Sequence, residues 1–542
     1  MRTTMTSTAT AASTAVFAFD HPHERPPREL ADLLGGKGAG LAEMTSVLGL
    51  PVPPGFTLGL PVCAAHRAGG WPAGLDEAIT TQLAALEERL GRRFGDPADP
   101  LLLAVRSGAP RSMPGMLDTV LNLGLDEATT AGLAEVSGDP VFAWESYRRF
   151  LAMFATTVLG VDHALIGPAP AERTEAALRA AVDRVRAVLG AAGTPVPTDP
   201  RAQLRAAVEA VFRSWDSPRA RAYREREGIP DDLGTAVNVQ AMVFGNRDDS
   251  SGTGVVFTRD PSTGENVPYG DFLLRAQGED VVAGTARTTP IAGMATSLPR
   301  AHAELTGLLD RLERHYRDIC DVEFTVESGR LWVLQTRVGK RGAVAAVRAA
   351  VEMVDDPAIG LSRAEALARA PEQVRERARA EVLAAGRGAA STPAALTTGL
   401  GASPGRVSGA VVLSADAAAD AEGDVVLVRP ETSPEDVHGM SVAVGILTST
   451  GGLVSHAAVV ARGWGIPAVV GAEELHVGTD AVHAADGTRL FGPGDVVTVD
   501  GATGEVWLGD VTAGADDGAS DAEVVARLLP ALAVLDGWAA AG

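Results

Sequence analysis

His456 stands in the stretch Thr448-Ser-Thr-Gly-Gly-Leu-Val-Ser-His-Ala-Ala-Val-Val-Ala-Arg-Gly-Trp-Gly-Ile-Pro-Ala-Val-Val-Gly471. Apolar Gly445-Ile-Leu ahead of it reads as the end of a strand. Gly451 and Gly452 allow a sharp backbone turn. Ser455 reads as an N-cap, so His456 begins a helix expected to run to about Arg462. Gly463 and Gly465 then stop the helix, and Ile466-Pro-Ala-Val-Val returns as a strand. An imidazole at a helix N-terminus, among small residues and backbone N–H groups that favour an anion, is placed to accept a phosphoryl group. A lone histidine in a core is the plainer alternative. Here the flanking residues decide.

Cations and carboxylates suited to a phosphate ligand lie elsewhere. Lys37 sits among glycines in Leu33-Leu-Gly-Gly-Lys-Gly-Ala-Gly-Leu-Ala, ahead of a helix expected over about residues 39–48. Its spacing is not that of a P-loop, but a point cation beside a helix start suits phosphate. Leu101-Leu-Leu-Ala-Val-Arg-Ser-Gly-Ala-Pro-Arg reads as a buried strand that delivers Arg106 to a Gly/Pro-rich loop, where Arg106 and Arg111 can fork onto phosphate oxygens. Asp321 and Glu323, two apart on a strand, share one face and can hold Mg²⁺ through oxygen. Gln335 and Arg337 share a face of the return strand. A three-residue loop of 328–330 would set Glu323 opposite Gln335 and Asp321 opposite Arg337; a two-residue loop would put them on opposite faces. The odd loop is the expectation, with all four side chains in one cleft.

These stretches resemble those of phosphoenolpyruvate-utilising enzymes, and most closely the pyruvate phosphate dikinase family. The resemblance runs through the histidine stretch, Arg429-Pro-Glu-Thr-Ser-Pro-Glu-Asp-Val-His-Gly-Met440, the Lys37 stretch, Val105-Arg-Ser-Gly-Ala-Pro-Arg-Ser-Met-Pro-Gly-Met116, Ala276-Gln-Gly-Glu-Asp-Val-Val-Ala-Gly284 and Asp321-Val-Glu-Phe-Thr…Leu-Gln-Thr-Arg337. It covers roughly residues 30–510 in family order. It implies an ATP-grasp domain in which Lys37, Arg106, Gln277, Glu279, Asp321, Glu323, Gln335 and Arg337 contact Mg²⁺-ATP, with Asp321, Glu323 and Gln335 at the metal. It implies that His456 carries phosphate between distant sites on a swivelling domain. One departure is Val454, where the family commonly has threonine; in plant relatives that threonine is a regulatory phosphorylation site, a control that cannot operate here.

The elements that must position these residues give a multidomain α/β and α+β chain. Residues 1–14 are mostly Thr, Ala and Ser and read as a disordered tail, extended to residue 20. Residues 21–341 form the ATP-grasp nucleotide-binding domain, with a helical insert at about 126–225. A helical linker covers 342–395, a β/α phosphohistidine domain 396–510, and an acidic tail with a short helical segment 511–542. Pro530 should kink or split that segment. Its leucines, at helical spacing, suit docking to a partner domain or to the chain's own histidine domain.

Composition sets limits. The 542 residues carry a net charge of −22, which argues against a nucleic-acid partner but not against a nucleotide held by local cations. Cys63 and Cys320 are the only cysteines, so no disulfide framework or cysteine metal cluster is expected. No apolar run approaches the ~18 residues of a membrane span. A cytoplasmic setting follows as the expectation. The family's C-terminal (β/α)₈ barrel for pyruvate and phosphoenolpyruvate has no counterpart in this sequence. The expectation is therefore a half-enzyme that uses Mg²⁺-ATP and phosphate to phosphorylate His456, releasing AMP and pyrophosphate. The phosphoryl group would pass to a separate barrel protein or other acceptor, and a homodimer fits the same reading. The alternatives are a dikinase acting directly on another small molecule, or a non-catalytic regulatory homologue.

Overall fold

The computed structural model describes residues 15–111, 113, 116–283, 288–388, 393–453, 455–512 and 520–541. They form two compact units. One contains the described residues up to Val243 together with Trp332–Gln335; the other contains Phe244–Leu331 and the described residues from Thr336 onward. The division falls inside the stretch read as one nucleotide-binding domain.

The first unit is built on an antiparallel sheet in the order Val16–Ala18, Gly55–Leu58, Ala236–Ala241, Leu103–Gly108, Thr119–Leu123. Val16 is buried and its strand pairs with Gly55–Leu58. The tail expectation therefore fails for residues 15–20: Val16-Phe-Ala is short but apolar, and an open sheet edge gives it hydrogen bonds. Residues 1–14 lie outside the described residues. Between 126 and 228 the chain is helical as expected, through Glu127–Ser137, Pro140–Met153, Glu175–Ala191, Pro200–Ser214 and Pro218–Glu227. Asp126, Asp139, Thr174, Asp199 and Ser217 cap these helices with side-chain oxygens.

The helix near Lys37 starts earlier than its spacing suggests. It spans Ala31–Ala42 and breaks at Gly35, whose φ of 68° lies in the left-handed region. A Cβ on Gly35 would stand 1.7 Å from the Gly108 carbonyl oxygen. Gly35→Ala should therefore lower stability by about 3 kcal/mol, read as a fall in the thermal or denaturant midpoint. An unchanged midpoint would show that this break tolerates a side chain.

The second unit holds two large sheets and a small antiparallel one of His476–Val477, Val482–His483 and Arg489–Phe491. An antiparallel sheet runs Thr289–Pro290, Tyr269–Leu274, Gly252–Phe257, Cys320–Glu327, Arg330–Val338. The other sheet has eight strands, with Arg406–Val412, Val425–Arg429, Gly445–Thr448 and Ala468–Val470 parallel at its centre. Alternation sends Leu427, Ile446 and Val470 to the face covered by Ala457, Ala458 and Ala461, and Val426, Val428, Leu447 and Val469 to the other.

Linker helices Ala343–Asp355, Arg363–Arg369 and Glu372–Gly388 stand where a helical linker was expected. The terminal segment splits at Pro530 into Asp521–Leu528 and Pro530–Ala541, bent by 107°. Leu529, Leu532 and Leu535 are buried against Val347, Ala350, Ala378 and Val382 of the linker, not against the histidine domain. Asp536 reinforces this by pairing with Arg375 and Arg379. The tail's apolar face thus caps the linker. Residues 513–519, its acidic part, lie outside the described residues. No single helix among the described residues is long and apolar enough to cross a membrane.

Candidate active site

The helix beginning at His456 crosses from the parallel strand Gly445–Thr448 to Ala468–Val470. His456 therefore sits at the carboxyl end of a central parallel strand, where such folds collect their chemistry. Ser455 caps the helix, its hydroxyl accepting from the Ala458 N–H, and Gly451 turns the chain at φ 100°. The helix runs to Trp464, two residues beyond the expected end, because Gly463 is tolerated inside and the left-handed Gly465 makes the stop. Val454 lies outside the described residues.

The His456 ring is half-buried. Its Nδ1 is 3.1 Å from the Thr432 hydroxyl, while Nε2 is buried with no hydrogen-bond partner. Thr432 thus engages one ring nitrogen and leaves Nε2 as the nitrogen without a partner. Thr432 lies in the Arg429–Met440 stretch, where its residue type and spacing alone point to no role. The signal lay in the topology: Arg429 and Thr448 are register partners, so the loops that follow their strands meet at one sheet edge. Burial lowers the imidazole pKa below the usual 6.5, with Asp436 and Glu435 working in the opposite direction. NMR titration of its Cε1–H should give a midpoint below 6.5; a midpoint at or above that value would contradict this environment.

The turn before His456 is held by the neighbouring antiparallel sheet. The Leu453 N–H donates to Asp271, which is buried, and a Cβ on Gly452 would stand 2.2 Å from the same carboxylate oxygen. Buried Arg462 donates to the carbonyls of Ala402 (3.1 Å) and Leu453 (3.0 Å), with its guanidinium 5.3 Å from the Phe257 ring. Tyr269 adds a bond to the Gly401 carbonyl, at 3.3 Å.

That sheet also carries the paired carboxylates. Val255 is the register partner of both Asp271 and Glu323, and Phe257 of both Tyr269 and Asp321. Register partners share a face. Asp271, Glu323 and Asp321 therefore lie on one face, and Asp271 and Glu323, two strands apart, are separated by about 10 Å of sheet. The Arg337 Nε–H donates to both Asp321 oxygens at 2.9 and 3.1 Å, and its Nη2 lies 3.4 Å from Glu323 Oε1. Burial raises the Asp321 pKa, and Arg337 opposes it. Burial works against the Arg337 charge, but Asp321 and Glu323 outweigh it and hold the proton more tightly.

The loop expectation for this hairpin fails. The strands run to Glu327 and resume at Arg330, leaving Ser328 and Gly329 as a two-residue turn with φ of 48° and 77°. Serine seldom takes that conformation, but its N–H is held by the Ser251 hydroxyl and its own hydroxyl by Asp248. By simple alternation this turn would put Glu323 and Gln335 on opposite faces. Arg337 nevertheless reaches Asp321 and Glu323, so these three side chains meet, while the odd loop and the register built on it, with Gln335 on the face of Glu323, do not hold. Gln335 is buried on the return strand.

The remaining residues fall in place locally. Gln277 is buried; its amide donates to Asn246 at 3.3 Å, and its Oε1 is buried with no partner. Glu279 lies in the first turn of the short helix Gly278–Ala283. In the first unit, Lys37 follows the break at Gly35, and the Gly36 N–H donates to the Ala109 carbonyl. A Cβ on Gly108 would lie 3.4 Å from that of Lys37. Gly108 is two residues along the strand from Arg106, so the fold brings Lys37 to the strand that bears Arg106. Arg111 is exposed, and Ser112, Pro114 and Gly115 of its loop lie outside the described residues.

Fold and site define a class: an ATP-grasp nucleotide-binding domain joined through helices to a phosphohistidine domain. Residues 67–295 and 294–357 match the family model described as pyruvate phosphate dikinase, AMP/ATP-binding domain, and residues 421–504 match that of the PEP-utilising enzyme, mobile domain. The chain belongs to the pyruvate phosphate dikinase family. It is 46% identical over 523 residues to the chloroplastic pyruvate, phosphate dikinase of Flaveria trinervia, covering 92% of this chain and 54% of that protein. For the pyruvate, phosphate dikinases of Rhizobium meliloti and Clostridium symbiosum the identities are 45% and 44%, covering 92% and 89% of this chain and 58% and 57% of theirs. The chain spans about half the length of the curated relatives it matches.

Proposed function

We propose that this chain is an ATP-dependent phosphotransferase that phosphorylates its own His456. One observation carries the reading most: the turn bearing His456 is docked on the sheet face that presents Asp321, Glu323 and Arg337. A histidine with one ring nitrogen engaged and the other reserved thus meets a cluster suited to a polyphosphate.

The roles follow from charge. Lys37, Arg106 and Arg337 neutralise the triphosphate; Gln277, Glu279 and Gln335 position the nucleotide. Asp321 and Glu323 fit Mg²⁺ in donor type. Among the described residues no three His, Cys, Asp or Glu side chains gather as a metal cage, which suits an ion that takes one or two carboxylates and completes its shell with phosphate oxygens and water. When bound, Mg²⁺ neutralises charge developing on the phosphates.

In the reaction, His456 Nε2 forms a bond to the β-phosphorus, and the bond bridging the α- and β-phosphates breaks to release AMP. The γ-phosphoryl passes to inorganic phosphate and leaves as pyrophosphate, so one phosphoryl group remains on the ring. Onward transfer is assigned to an acceptor on a separate barrel protein or a further domain. The test is incubation with ATP labelled at the β- or γ-position, with and without phosphate. Acid-labile, base-stable label from the β-position alone, when phosphate is present, supports the reading.

A further inference from the structure

We propose that Arg337 is a resident counter-cation of the Asp321–Glu323 pair, and that it makes divalent-metal binding there depend on nucleotide. The inference rests on the reading of that pair as the metal site.

The geometry is the starting point. A single N–H of Arg337 spans both Asp321 oxygens, and a second nitrogen leans on Glu323. The two carboxylate side chains are only 13% and 23% exposed, so few other directions of approach remain. The guanidinium holds both Asp321 oxygens and leans on one oxygen of Glu323, so a cation must compete with it for the pair. Two carboxylates and one guanidinium leave one net negative charge. Without the guanidinium the pair would carry two, and would be a far better site for a divalent ion.

No third acidic, His or Cys side chain joins the pair as a metal cage among the described residues. Hard divalent ions bind poorly to two partly occupied carboxylates and well once phosphate oxygens are added. A triphosphate changes both terms. It offers the Arg337 fork a more highly charged acceptor, drawing it off Asp321, and it brings the missing oxygens. Release of the carboxylates and arrival of metal ligands are then one event. The device keeps the site closed to divalent ions when nucleotide is absent.

Mn²⁺, followed by electron paramagnetic resonance, reports binding directly and without turnover. The full chain should bind Mn²⁺ weakly alone and tightly with a non-hydrolysable ATP analogue. Arg337→Met should tighten nucleotide-free Mn²⁺ binding on the order of tenfold, as loss of a partly screened cation beside two anions predicts. Arg337→Lys, which keeps the charge, should bind as the wild type does. Asp321→Asn should remove the gain in an Arg337→Met background. Arg337→Gln, checked by circular dichroism, serves if the methionine variant does not fold. Tight nucleotide-free Mn²⁺ binding by the wild type overturns the inference. So does no gain in folded Arg337→Met or Arg337→Gln, while the site reading stands. Analogue-dependent Mn²⁺ binding that survives Asp321→Asn overturns the site reading itself.

Discussion

His456→Ala is expected to abolish incorporation of the β-phosphoryl group of ATP, a loss of about 10⁴-fold or more. The size follows from the role: an attacking nitrogen has no substitute when it is removed. Thr432 cannot replace it, because its hydroxyl faces Nδ1 and lacks a base of its own. The substitution should be mild for the fold. Ser455 still caps the helix, alanine favours helix, and the buried Thr432 hydroxyl loses only one partner. Nucleotide binding should therefore persist, measured with a fluorescent ATP analogue, while label in the protein disappears. A wild-type chain that gains no label from β-labelled ATP with Mg²⁺ and phosphate present would sink the proposed function. Label that survives in His456→Ala would place the acceptor elsewhere.

Gly452→Ala is expected to slow labelling of His456 on the order of a hundredfold, the scale associated with an ångström's misplacement of a reacting group. The added methyl would stand 2.2 Å from the Asp271 carboxylate and 2.6 Å from the Thr288 hydroxyl. Asp271 is 1% exposed and cannot easily withdraw, so the turn must lift from the sheet. The eight-stranded sheet and the His456 helix are built without this contact, so the domain should stay folded. Gly463→Ala is the control. Its methyl would meet the end of Lys340, 2.7 Å away, but Lys340 is exposed and flexible and can give way. Equal labelling rates for the two variants would show that docking through Asp271 does not govern transfer.

Much of this site was legible along the chain. The capped start of the His456 helix, the strands flanking it and the break at Pro530 each depend on residues a few positions apart. So does the face shared by Asp321 and Glu323. Steric preference and hydrogen-bond reach act over that range, and the sequence states them directly. The resemblance to a known family supplied roles that spacing alone could not give, such as those of Lys37 and Gln277.

Other features were decided only when distant segments met. Leu453 and Asp271 are 182 positions apart, and nothing in either neighbourhood marks the other. Thr432 reaches His456 because two parallel strands are in register. Ser328 turns through a conformation glycine would normally fill because Asp248 and Ser251 hold it. The order of Val16–Ala18 and the docking of Leu532 and Leu535 on the linker arose where an open sheet edge and an apolar helix face needed covering. Local pattern sets which face of an element is apolar and which side chains share it. It does not say which other element will cover that face, because that depends on register and crossover, which are fixed only by packing the whole chain. By itself, then, the sequence determined the chemistry on offer, and the tertiary structure decided which groups stand together to use it.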